Sequence, residues 1–72
     1  MIPRVLTVAA SDSSGAAGLQ ADLKTFEARQ VYGLSAVTAI TAQDSKHIES
    51  VQVLEPDFVA QQIAVLLNDV RV

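Results

Sequence analysis

Between Arg4 and Phe26 the hydrophobic pattern changes period abruptly, and this change limits the folds open to the chain. Arg4-Val5-Leu6-Thr7-Val8-Ala9-Ala10 is β-branched and almost continuously apolar, as a strand covered on both faces of a parallel sheet is. Asp12-Ser13-Ser14-Gly15 then interrupts it with four residues favoured in turns and helix N-caps. From Ala16 the apolar positions Ala16, Leu19, Leu23 and Phe26 share one helical face, with Gln20, Lys24, Glu27 and Gln30 elsewhere. Strand, tight turn and helix make the first half of a βαβ unit. In such a unit the carboxyl end of a strand meets a helix N-terminus, whose free backbone N–H groups invite a small ligand.

The spacing predicts that this helix runs to Gln30 or Val31, about 22 Å at roughly 1.5 Å per residue, with Gly33 punctuating its end. Leu34 to Ala42 carries no charge and no breaker. Periodicity also permits a helix there, with Ala36, Ala39 and Ile40 on one face. The need for a crossover partner and the Val, Ile and Thr content decide for a strand. Gln43-Asp44-Ser45-Lys46-His47 reads as a polar loop, and Ile48 to Leu54 alternates as a short edge strand does. Pro56 suits a first helical position and Asp57 the positive end of the helix dipole. Val59, Ile63, Leu66, Leu67 and Val70 follow as the clearest amphipathic pattern in the chain. The order is β-α-β-β-α, with one right-handed crossover and no repeat or linker. A further strand is expected after the last helix.

At 72 residues the chain is one domain at most. Half its residues are apolar and 18% are charged, more apolar than a small two-layer domain needs for its own core. We read residues 1–72 as a fragment whose apolar surfaces are meant for neighbouring segments. The net charge is −3, and the five basic residues Arg4, Lys24, Arg29, Lys46 and Arg71 are scattered, which gives no electrostatic case for nucleic acid. Cysteine is absent, so no disulfide framework or thiolate metal site arises. No apolar run reaches the roughly 20 residues of a membrane span, and Val5 to Ala10 is too short for a signal-peptide core. A cytoplasmic protein is the expectation.

Candidate chemistry lies at the strand ends, from Ala10 to Gly18 and from Thr41 to Asp44. Gly15 and Gly18 open a helix, but Leu19-Gln20 follows Gly18 where a phosphate loop needs Gly-Lys-Ser or Gly-Lys-Thr, and G-x-G-x-x-G is missing. A tight turn with close packing is the simpler reading of both glycines. Residue type alone leaves Asp22 open between a solvated helix residue and a carboxylate facing the crevice, on a side distinct from Leu19, Leu23 and Phe26. Gln43 is either a loop residue or an amide suited to bidentate pairing with an amino-heterocycle. His47, without ligand-spaced partners, reads as a solvated loop residue rather than a metal ligand. Thr25, Ser35 and Thr38 read as packing residues.

Taken together, Ala9-Ala10-Ser11-Asp12-Ser13-Ser14-Gly15-Ala16-Ala17-Gly18-Leu19-Gln20-Ala21-Asp22-Leu23-Lys24-Thr25-Phe26, Val31-Tyr32-Gly33, Thr38-Ala39-Ile40-Thr41-Ala42-Gln43 and Glu55-Pro56-Asp57-Phe58-Val59 closely resemble the amino-terminal part of the hydroxymethylpyrimidine/phosphomethylpyrimidine kinases of thiamin biosynthesis. The resemblance covers essentially the whole chain. Bacterial pyridoxal kinases of the ribokinase-like fold share part of it.

The resemblance implies a ribokinase-like three-layer α/β sandwich, of which this chain is the N-terminal β-α-β-β-α portion. It implies an enzyme that phosphorylates 4-amino-5-hydroxymethyl-2-methylpyrimidine and then its monophosphate with MgATP, and a homodimer. By position, Gln43 would pair with the aminopyrimidine edge, and Asp22 would bond the substrate or hold its neighbours. Ala10, Ala17 and Thr41 would line the pocket through small side chains and backbone groups. Family members usually have Gly at the positions of Ala10 and Ala16, and Asn at that of Asp44. The family's catalytic base and glycine-rich anion hole, and most of its MgATP contacts, come from a carboxyl-terminal loop and helix that this chain lacks, so the fragment alone is expected to be inactive. The alternatives are a pyridoxal kinase-like vitamin B6 kinase and a noncatalytic dimerisation module built on Leu23/Phe26 and Ile63/Leu66/Val70.

Overall fold

A computed structural model describes residues 2–72. It contains β1 (Arg4–Asp12), α1 (Gly18–Ala28), β2 (Tyr32–Gln43), β3 (Ile48–Val53) and α2 (Pro56–Asp69). The three strands form one sheet in the order β1-β2-β3, β1 and β2 parallel, β2 and β3 antiparallel. The expected element order and the α/β class both hold.

Side chains of paired residues share a face of the sheet. Thr7 pairs with Ser35 and Val5 with Gly33. This is the face that α1 covers, because a Cβ built on Gly33 would stand 2.9 Å from both Leu23 Cδ2 and Phe26 Cδ2. Gly33 therefore does not end the helix, as the sequence suggested; it lies in β2 and lets α1 approach the sheet. The helix ends earlier, at Ala28, with Gln30 in the left-handed region at φ 60°. The Gln30 N–H donates to Glu27 O and the Val31 N–H to Phe26 O, both at 3.0 Å, the paired bonds of a Schellman motif.

The start of α1 also differs from expectation. Ala16 and Ala17 precede the helix, and Ala17 is extended at φ −141°. Gly18, at φ +62°, begins it; a Cβ there would lie 2.4 Å from Ala10 O. Helix and strand are thus in backbone contact where the chain turns.

The second helix meets the sheet at an edge. β3 pairs with β2 from Ala39 to Gln43 only. Just below, the Gln62 side chain takes the place of a strand: its Nε2 donates to Val37 O at 2.8 Å and its Oε1 accepts from Val37 N at 2.9 Å. Among the expected apolar positions of α2, Val59, Ile63, Leu66 and Val70 are half-buried, whereas Leu67 is exposed.

The buried core is small. Leu19, Ala36, Ala39, Thr7 and Asp12 are buried, and among the described residues no large side chain is fully so. On the face away from α1, Val8 and Ile40 are 49% and 51% exposed. Among the described residues no helix is long and apolar enough to cross a membrane.

Candidate functional site

The carboxyl ends of β1 and β2 meet at Asp12. The side chain of Asp12 is 4% exposed, and its two oxygens organise the turn that follows. Oδ1 accepts from the Ser14 N–H and the Ser14 hydroxyl, both at 2.8 Å; Oδ2 accepts from the Ala17 N–H at 2.8 Å. The Asp12 carbonyl accepts from the Gly15 N–H at 2.9 Å. Its own N–H donates to Gln20 Oε1 at 2.8 Å, and Gln20 Nε2 donates on to Ser11 Oγ at 2.7 Å. Lys24 Nζ donates to Gly15 O at 3.0 Å. The turn from Ser13 to Ala17 is thereby fixed by side chains of α1 and by the Asp12 carboxylate.

This geometry corrects the expectation that the β1–α1 turn offers free N–H groups. Those of Ser14, Gly15 and Ala17 are already bonded to Asp12. The Asp12 carboxylate takes two of them and the Asp12 carbonyl the third.

The turn is also sewn to the end of β2. Ser13 Oγ donates to Gln43 O at 2.6 Å and accepts from the Gln43 N–H at 2.8 Å. Thr41 Oγ1 donates to Ser11 O at 2.8 Å. The Gln43 side chain, and then the Ser14 and Ala17 donors, hold the Asp12 carboxyl down at about 2 against desolvation. Asp12 is therefore an anion at any pH near neutrality.

Four of the residues anticipated from sequence cluster here. The Ala10 carbonyl lies against Gly18, the Ala17 N–H is held by Asp12, and Thr41 and Gln43 are bonded to Ser11 and Ser13. Asp22 is placed deeper. Its Oδ2 accepts from Thr7 Oγ1 at 2.6 Å in the layer between α1 and the sheet. Among the described residues no hydrogen bond joins Asp22 to Gln43.

Elsewhere the chemistry is sparse. An open groove of about 530 Å³ runs between Arg4, Tyr32, Leu34, Leu66 and Val70. It lies by the start of β1, away from the Asp12 turn. His47 packs at the β2–β3 hairpin with Nδ1 3.2 Å from Asp44 Oδ1 and Nε2 3.2 Å from Glu49 Oε2, all three exposed. The backbone N–H groups of Lys46 and then His47 hold the Asp44 carboxyl below its ordinary range. Among the described residues no cluster of His, Cys, Asp and Glu could hold a metal.

Comparison with known proteins gives this geometry its context. The family model described as phosphomethylpyrimidine kinase matches residues 12–72. The chain belongs to the phosphomethylpyrimidine kinase family. It is 52% identical over 67 residues to the hydroxymethylpyrimidine/phosphomethylpyrimidine kinase of Escherichia coli, an alignment covering 93% of this chain and 25% of that protein. The crystal structure of phosphomethylpyrimidine kinase from Clostridium difficile superposes with a TM-score of 0.88 at 51% identity, covering 96% of this chain and 31% of the other. An ADP complex of Bacillus subtilis pyridoxal kinase gives a TM-score of 0.88 at 40% identity, covering all of this chain and 29% of the other. The ribokinase-like α/β fold expected from the resemblance is thus present as its β-α-β-β-α portion. The chain spans about a quarter of the length of the Escherichia coli relative.

Lys24, on α1, is bonded back to the turn at Gly15 O. Asp12, Ser13 and Gln20 organise the junction although none is among the residues to which the family resemblance points. Asp followed by Ser-Ser-Gly carried a usable signal, since an Asp carboxylate commonly accepts from the N–H two residues on. Gln20 carried none, because its partners lie on another element.

Proposed function

We propose that this chain is the substrate-pocket segment of a kinase that phosphorylates 4-amino-5-hydroxymethyl-2-methylpyrimidine and then its monophosphate in thiamin biosynthesis. The activity is that of the complete domain; the phosphoryl donor, MgATP, is held outside this segment, as are the catalytic base and the anion hole. The observation that carries this reading is the junction itself, where Ser13 clasps the Gln43 backbone beside a turn of small residues fixed by Asp12. An amide offers a donor and an acceptor side by side. An aminopyrimidine edge offers the complementary pair, a ring nitrogen and an exocyclic amine. Membership of the family and 52% identity to the Escherichia coli kinase support the same substrate class. In this reading Ala10, Ala17 and Thr41 line the pocket, and Asp22, through Thr7, holds α1 in position behind it. The complete protein is read as a cytoplasmic homodimer.

The test uses a chimera in which these residues replace the matching quarter of the Escherichia coli kinase. Gln43→Ala in that chimera should weaken aminopyrimidine binding by about 1–3 kcal/mol, the scale for unmatched buried polar groups. Unchanged affinity, read by calorimetry, removes Gln43 from the site. The equal TM-score of the pyridoxal kinase favours a second reading, a vitamin B6 kinase. Titration of the chimera with both compounds separates the two, and a preference for pyridoxal overturns the first.

A further inference from the structure

The outer edge of β2 is only half covered by backbone. β3 pairs with it from Ala39 to Gln43, and the Leu54 N–H reaches Thr38 O at 3.0 Å. Toward the start of β2 the cover is a single side chain, the Gln62 carboxamide, which donates to Val37 O and accepts from the Val37 N–H. An antiparallel strand would make the same two bonds, since a hydrogen-bonded pair of facing residues exchanges both N–H and C=O. The Tyr32 N–H donates inward, to Pro3 O. By the alternation along a strand, Gly33 and Ser35 therefore turn their backbone groups to the same outer edge as Val37. Among the described residues no strand pairs with them on that side.

The strand that carries this edge is prone to pair with its own kind. Tyr32–Gln43 holds no charge and no proline, and Leu34 to Ile40 is the uncharged, β-favouring type of segment that stacks on copies of itself. Sheet edges are ordinarily blunted by a lysine, a proline or an inward-pointing charge. Here the groove flanking the edge, about 370 Å³, is lined by Ser35, Phe58, Gln61, Gln62, Val65 and Leu66, none of them charged. Phe58 and Val65 are exposed in it. We propose that Gln62 is an edge guard: its carboxamide stands in for one peptide unit and keeps a second copy of the chain from adding its own β2 antiparallel across this edge. Such a contact would be two-fold, so one and the same edge meets itself, and each copy brings both the open backbone groups and an exposed Phe58 and Val65 to cover. Val37 would then exchange Gln62 for a backbone partner with no loss in number of bonds.

The experiment follows the chimera and its variants by sedimentation velocity for mass and by hydrogen exchange for the edge. As concentration rises through the micromolar range, Gln62→Ala should reach at least double the mass of the parent chimera at matched concentration. At the lowest concentration its Val37 N–H should exchange about tenfold faster than in the parent, the scale of one lost hydrogen bond. As copies associate, protection should return at Val37 and appear at Ser35. Gln62→Met keeps the side-chain length and loses both bonds, so it should behave as Gln62→Ala does, and it decides the matter if the alanine variant fails to fold. Gln62→Glu sets a charge on the edge, which repels a second copy; it should keep the parent's mass. Adding Val65→Lys to Gln62→Ala should restore that mass for the same reason. Gly15→Ala, destabilised away from this edge, should also keep it. The guard role is overturned if Gln62→Ala and Gln62→Met stay at the parent's mass, if Val65→Lys leaves their association intact, or if Gly15→Ala associates as they do. Exchange at Val37 that never changes with concentration overturns it as well.

Discussion

Gly18→Ala should destabilise the domain more than Gly15→Ala, although both glycines hold a positive φ, +62° and +80°. The left-handed conformation costs an L-residue about 1–2 kcal/mol, and both substitutions carry that term. They differ in what the new methyl group meets. At Gly15 it would meet Lys24 Nζ at 3.0 Å, the end of a flexible side chain that can swing into water. At Gly18 it would stand 2.4 Å from Ala10 O and 3.3 Å from Asp12 N. Both are backbone atoms of β1, and moving them disturbs the carboxylate that holds Ser14 and Ala17. Overpacking of this kind adds about 1–3 kcal/mol. Thermal unfolding of the chimera, followed by circular dichroism, reads the difference. At about 2–4 °C per kcal/mol for a domain of 150–250 residues, Gly18→Ala should melt roughly 2–12 °C below Gly15→Ala. Equal melting temperatures would refute the claim that helix and strand are in backbone contact at this turn.

Gln30→Gly should stabilise the chimera by up to about 1 kcal/mol, because Gln30 now bears the cost of φ 60° at the helix end; a lower Tm would contradict the Schellman geometry. Gln62→Ala strips Val37 of both backbone partners, at a cost of about 1–3 kcal/mol. Amide exchange at Val37 should accelerate, and an unchanged rate would mean another group covers that edge. Asp12 titrates at about 2 when folded, against an ordinary 3.8, so its stabilising contribution is complete above pH 3.8 and is lost as the pH falls toward 2. Asp12→Asn should flatten that acid limb of the stability curve; superimposable limbs for parent and variant would count against it.

What the sequence made legible was the part of the fold that depends on local period. Val5 to Ala10, the Leu19/Leu23/Phe26 stripe and the Val59/Ile63/Leu66/Val70 stripe all have their spacing from their own element, and each element formed. The misplacements share a cause. Gly33 was read as punctuation because a glycine beyond a helix so often is, yet its job depends on Leu23 and Phe26, which only the packed structure brings against it. Ala16 fits the helical stripe, but Asp12 claims the N–H of Ala17 and delays the helix to Gly18. Gln62 looked like polar surface; it is an edge partner because β3 stops short of Val37. In each case a contact between elements overrode a local preference. The same holds at the junction: the resemblance points to Ala10, Ala17, Thr41 and Gln43, which lie there together, whereas Asp12 emerges only from the hydrogen bonds it collects.

Those bonds explain how a strand-turn-helix junction can be turned from one kind of recognition to another. The N–H groups of such a turn form a field that attracts negative charge. Left open, they would draw a phosphate. Here the Asp12 carboxylate takes that position from within, satisfying Ser14, Gly15 and Ala17 through its side chain and carbonyl. Under the proposed function this serves the substrate, since the recognised end of an aminopyrimidine is a neutral, flat edge that needs a rigid wall and one oriented amide rather than a positive field. A single buried carboxylate thereby fixes the turn and carries its acid sensitivity, which is why Asp12→Asn should loosen the turn and flatten the acid limb together.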